Sequence, residues 1–68
     1  MREQYIIKEI KEEIQRRIKE EDELESFNLF EMDHNPEFKN YYHREYLISY
    51  YKRQELNSLL EYIDEVNK

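Results

Sequence analysis

From Pro36 to Val66 nothing in this sequence ends a helix. The chain contains no glycine, and Pro36 is its only proline. A helix over about residues 36–66 would run ~46 Å at ~1.5 Å per residue. Its start is well marked. Asn35 is a good N-cap, Pro36 suits the first helical position, where its missing N–H is not needed, and Glu37 complements the positive end of the dipole. Near its far end, Leu56, Leu59, Leu60, Ile63 and Val66 form a core stripe.

A second long helix is expected over about residues 2–25. Ile7, Ile10, Ile14 and Ile18 recur at spacings of three and four, on one narrow face. The flanking Lys, Glu, Gln and Arg are good helix formers, and Glu12–Arg16 and Glu13–Arg17 are favourable pairs four residues apart. The expected end at Glu20–Glu25 is unusual. It places five acids where the dipole prefers cations. Asp22 and Glu25 have capping-box spacing, so a short helix over about 23–32 is one form of the connection that follows; an extended strap is the other.

That connection, about residues 26–35, carries "SFNLFEMD", the most apolar short peptide in the chain. Turns are normally polar. Two readings stand side by side. Either Phe27, Leu29, Phe30 and Met32 fold back as a lid over the helix pair, or they form an exposed docking peptide.

With 68 residues there is one domain, and a single core of this size supplies only ~3–5 kcal/mol without a further staple. The chain has no cysteine for a disulfide and no zinc pattern. Association is the staple that remains. The middle of the second helix, "YYHREYLISYYKR", is apolar on nearly all sides, which suits a helix buried on more than one face. Tyr42, Tyr46, Tyr50 and Tyr51 are therefore expected at a homodimer interface. The expected fold is all-α: a helical hairpin of two long helices with an apolar connection, dimerising into a four-helix-bundle-like assembly.

Charged residues make up 41% of the chain, but aromatic residues at 15% give it surface to bury and argue against disorder. The net charge of −6 is uneven. Residues 1–34 hold 11 acids and 6 bases, net −5, whereas residues 35–68 hold 6 acids and 5 bases, net −1. Such a field repels nucleic acid and membranes and attracts basic protein surfaces. No apolar run reaches the ~18–20 residues of a membrane span, and "MREQYIIKEI" lacks a signal peptide's apolar core, so a cytoplasmic protein is expected.

Catalytic motifs are missing. Without glycine there is no phosphate-cradling loop. Ser26, Ser49 and Ser58 have no triad context, and His34 and His43 have no second histidine or cysteine at ligand spacing. Neither an enzyme nor a metal or other cofactor is expected. Lys39, Arg44, Lys52 and Arg53 alternate with tyrosines in a way that suits base stacking, but their half of the chain is still net negative, so direct nucleic-acid binding is not expected.

"SFNLF" resembles the short peptide by which bacterial replication and repair proteins dock on the DNA sliding clamp, with the pattern Gln-Leu-x-Leu-Phe. Leu29 and Phe30 match its Leu-Phe pair; Phe27 replaces Leu and Ser26 replaces Gln. Together with small size and acidity, the peptide resembles bacteriophage inhibitors of the sliding clamp. The resemblance implies docking through Phe27, Leu29, Phe30 and Met32. It also implies a DNA-like acidic surface on Glu20, Glu21, Asp22, Glu23 and Glu25, acting in a host bacterial cytoplasm. A homodimeric adaptor or regulator of another DNA-binding protein is the alternative. A second motif, "RQELNSLLEYI", is similar to the "SQELD" signature of Spo0E-like aspartyl-phosphate phosphatases. Arg53 stands for its Ser and Asn57 for its Asp, so the acid that family needs is missing.

Overall fold

The computed structural model describes residues 2–67. Two helices form an antiparallel hairpin: α1, Arg2–His34, and α2, Lys39–Val66. Between them lie Asn35 and a single 3-10 turn, Pro36–Phe38. The rod is long and thin, with extents of 53 × 15 × 12 Å. Among the described residues, no helix is long and apolar enough to cross a membrane.

The first helix continues well past the boundary expected from sequence. Residues 26–33 are not a connection; they form the last turns of α1. The reason is local. Nothing between Arg2 and Asn35 opposes the helix strongly, whereas Pro36 disfavours helical geometry at the residue before it. Asn35 leaves the helix at φ −132° and ψ 72°. Its N–H donates to the Glu31 carbonyl at 2.8 Å, and its Nδ2 donates to the Glu31 carboxylate at 2.5 Å. The expected apolar connection thus shrinks to a short corner, Asn35 and Pro36–Phe38, in which Phe38 is exposed. This also moves the five-acid run away from the helix end, although Glu31 and Asp33 remain in the last turn. Glu20–Glu25 lie mid-helix, and the negative end of α1 carries His34, whose Nδ1 contacts the Phe30 carbonyl at 2.8 Å. At the end of α2, Asn67 caps through its N–H and Nδ2, both donating to the Ile63 carbonyl at 3.1 and 2.8 Å.

The two helices meet along a seam with a seven-residue period. On α1 it runs through Ile7, Lys11, Ile14, Ile18, Glu21, Glu25, Asn28 and Met32, all buried or half-buried. On α2 it runs through Tyr42, Tyr46, Ser49, Arg53, Leu56, Leu60 and Ile63, likewise withdrawn from solvent. Alternating steps of four and three keep each row facing its partner, as in a coiled coil. Ile14 is the one buried hydrophobic residue among those described; Glu25, Asn28 and Ser49 are the buried polar ones.

Several positions differ from the sequence reading because a single neighbour can cover only a narrow stripe. Ile10 stands on the flank rather than in the isoleucine seam, and Leu59 and Val66 are exposed beside the half-buried Leu56, Leu60 and Ile63. Of the two expected ion pairs, Glu13–Arg17 forms at 3.1 Å. Arg16 instead bridges Glu13 and Glu20, each at 2.5 Å. The hairpin is further tied by Lys11–Asp64 at 2.5 Å, an exposed cross-helix pair.

Candidate functional site

The apolar peptide lies on the last turns of α1, and helix geometry decides what it can present. Successive side chains turn by about 100°. Phe27 and Leu29 therefore leave the helix on nearly opposite sides, while Leu29 and Phe30 are adjacent on the free surface. Phe27 and Phe30 are 55% exposed and Leu29 is 46% exposed. Phe30 stacks on His34, with ring centroids 3.8 Å apart and 18° between planes. Met32 alone turns into the seam, one turn beyond Asn28. The lid reading is thus corrected: three of its four residues stand exposed on α1 rather than folding back over the helix pair. The helix also removes Phe27 from the linear docking pattern and leaves Leu29–Phe30 as its presented part.

The acidic run does not form one surface, because a continuous helix sends five acids in different directions. Asp22 and Glu23 are exposed. Glu20 is paired with Arg16. Glu21 is half-buried, and its Oε2 is sealed from solvent with no hydrogen-bond partner. Glu25 is not a surface residue at all. Its carboxylate takes a two-pronged contact from the Arg53 guanidinium, Nε to Oε2 and Nη2 to Oε1, the latter at 3.2 Å. Arg53 also lies over the Tyr50 ring, 5.7 Å from its centroid. The side chain of Glu25 is 8% exposed and that of Arg53 26%. The DNA-like charge expected of five acids is accordingly carried by fewer.

The tyrosines divide between two roles. Tyr42, Tyr46 and Tyr50 recur every fourth residue and are half-buried on the side of α2 that meets α1. The Tyr46 and Tyr50 rings are 6.2 Å apart, and Tyr50 packs edge-on against Tyr51 at 5.4 Å. Burial of its hydroxyl, reinforced by the Glu31 carboxylate to which it hydrogen-bonds, raises the pKa of Tyr42 above the ordinary phenol value. Of the four tyrosines expected at a dimer interface, Tyr51 is the one fully displayed, at 61% exposure. The other three contribute to the hairpin's own packing.

The Glu25–Arg53 pair, with Asn28 and Ser49 beside it, is the feature that reading for apolar residues missed. Its signal was present in the spacing. Glu21, Glu25 and Asn28 continue the steps of four and three begun by Ile7, Ile14 and Ile18, but in polar residues. The phosphatase-like motif lies mid-α2, with Gln54 and Glu55 exposed and Asn57 half-buried. Among the described residues, no group of three or more His, Cys, Asp or Glu side chains is placed to hold a metal ion. Comparison with protein-family models, with curated proteins and with solved structures finds no match to this chain.

Proposed function

We propose that this chain acts by binding another protein rather than by catalysis, and that its target is a protein that handles DNA, the bacterial sliding clamp being the most concrete candidate. The observation that carries the reading is the Leu29–Phe30 pair. Two large apolar side chains stand open at the end of a helix, two turns beyond the exposed acids Asp22 and Glu23. Exposed apolar groups with a charged rim are the usual make-up of a protein-binding site. Leu29 and Phe30 enter the clamp's peptide pocket without unfolding α1, and the nearby acids face the basic surface that DNA would otherwise occupy. The acids raise the rate of encounter and oppose DNA, while the aromatic anchor supplies most of the affinity.

The test is calorimetric titration of the protein into a low-GC bacterial sliding clamp, beside the Leu29→Ala/Phe30→Ala variant. Binding should weaken by at least about 30-fold in the variant, matching the ~2 kcal/mol of an interface hot spot. Helicity should be unchanged, because neither side chain lies in the seam. No binding by the wild-type chain rejects the clamp as target. Binding that survives the double substitution rejects Leu29–Phe30 as the anchor.

A further inference from the structure

Beside the seam, each helix carries a second seven-residue stripe, one position earlier in sequence. On α1 its apolar members are Ile6, Ile10, Leu24 and Phe27, all exposed. On α2 they are Tyr41, Ile48, Leu59, Tyr62 and Val66, also exposed. Steps of four and three connect them through 13, 17 and 20 on one helix and through 45, 52 and 55 on the other. In an antiparallel pair, one residue back from the seam turns both helices toward the same side. The surface confirms this: Ile6, Ile10 and Leu59 line one groove, and Arg17, Glu20, Lys52 and Glu55 line the next along the rod. One long flank of the hairpin therefore carries large apolar residues toward both ends, with Glu31 and Glu45 among them at the corner end, and a charged band in the middle.

We infer that this flank is the surface on which a second copy of the chain docks, closing a four-helix bundle. The inference goes beyond the reading of Leu29–Phe30 and stands without it. A helix that serves one neighbour needs one heptad stripe; a helix in a four-membered bundle packs against two, and here both helices carry two adjacent stripes. The size is suitable. A flank 53 Å long and 15 Å across has a footprint on the scale of the ~800 Å² per partner of a standard interface.

Charge selects the same occupant. An interface between identical chains related by a twofold axis must be complementary to itself. The central band carries both signs, level with one another along the rod: Arg17 and Glu20 on α1, Lys52 and Glu55 on α2. With the two hairpins head to tail, Arg17 meets Glu20 of the second copy and Lys52 meets its Glu55; Ile10 falls on Phe27, and Ile48 on Leu59. With the hairpins head to head, Arg17 meets Glu55 and Glu20 meets Lys52. Either arrangement opposes unlike charges and covers the apolar ends. A uniformly basic partner would instead oppose Arg17 and Lys52. Leu29, Phe30 and Tyr51 remain outside the bundle.

Sedimentation equilibrium tests the inference. The wild-type chain should weigh twice 8.7 kDa at micromolar concentration. A basic variant, Glu20→Lys/Glu55→Lys, and an acidic variant, Arg17→Glu/Lys52→Glu, should each associate more than tenfold more weakly, because the central band then repels its own copy. All four positions lie outside the seam, so each variant keeps the hairpin, checked by helicity. Mixed in equal amounts, the two should recover the doubled mass as a heterodimer. Tyr51→Glu, on another side of α2, should leave the mass unchanged. A monomeric wild-type chain overturns the inference. So does a dimer indifferent to both charge reversals, or one that Tyr51→Glu dissociates. Failure of clamp binding, with the doubled mass intact, would reject the functional reading alone.

Discussion

The Glu25–Arg53 pair is expected to be the most sensitive point of the hairpin. Consider Arg53→Met. It keeps much of the stem that packs beside Tyr50 but leaves the Glu25 carboxylate, only 8% exposed, without its cation. Removing one member of a fully buried pair costs ~3–5 kcal/mol. Arg53 is itself 26% exposed, so water reaches the guanidinium and part of that cost is lost to screening; about 2–3 kcal/mol is expected here. For a chain of 68 residues, total stability is roughly 3–10 kcal/mol at ~0.05–0.15 kcal/mol per residue, and a single buried hydrophobic residue among those described places this chain toward the low end. The substitution should therefore remove much of the stability. Urea unfolding followed by circular dichroism measures it, at one fixed chain concentration because association would shift the midpoint. Glu25→Leu/Arg53→Met should recover most of the loss, since replacing both charges by apolar groups is commonly neutral or stabilising. Single substitutions that each cost under about 0.5 kcal/mol, the range of ordinary surface changes, would refute the buried pair.

Two further predictions concern single side chains. Tyr42 should ionise above the ordinary phenol value, because burial and then the Glu31 carboxylate favour its neutral form. A group whose folded pKa is raised stabilises the fold fully below its unfolded value, here 10.0, and loses that contribution as pH rises through the folded value. A phenolate absorbance titration of the wild type against Tyr42→Phe should show an ionisation above the ordinary phenol value disappear; its persistence would place the shifted hydroxyl elsewhere. Ile14→Ala should cost about 3 kcal/mol, within the range for emptying a buried aliphatic site. Tyr5→Ala, at a residue 62% exposed and off both stripes, should stay within about 0.5 kcal/mol in the same urea experiment.

The hairpin itself was readable from the isoleucine stripe and from Asn35–Pro36, because those signals are local and act within one turn. The end of α1 was not. Past Ile18 the seam continues through Glu21, Glu25 and Asn28, so hydrophobicity loses the period where the backbone keeps it. The cation that makes Glu25 acceptable there is Arg53, 28 residues away, and no local rule links the two. The docking peptide is legible as composition but not as geometry. A linear reading of "SFNLF" presents Phe27, Leu29 and Phe30 together, whereas helical rotation divides them between Phe27 on one flank and Leu29–Phe30 on the free surface.

A charged pair in so thin a seam has a consequence for alignment. The apolar seam positions tolerate sliding better, since an isoleucine that meets a different apolar side chain leaves no charge stranded. Glu25 does not. Moving α2 by one heptad in either direction puts Tyr46 or Leu60 where Arg53 stands and leaves a carboxylate buried without a cation, at a cost of several kcal/mol. Lys11–Asp64, some 14 residues away along α1, would be broken by the same slide but is exposed and costs little. The buried pair is thus the device that selects one register out of the several a seven-residue repeat allows, the role best attested for buried polar groups in coiled coils. Register in turn sets the flank. Only when Glu25 meets Arg53 do Arg17 and Glu20 stand level with Lys52 and Glu55 and make the flank complementary to itself. Arg53→Met should therefore weaken association as well as folding, although Arg53 lies in the seam and not on the outer flank.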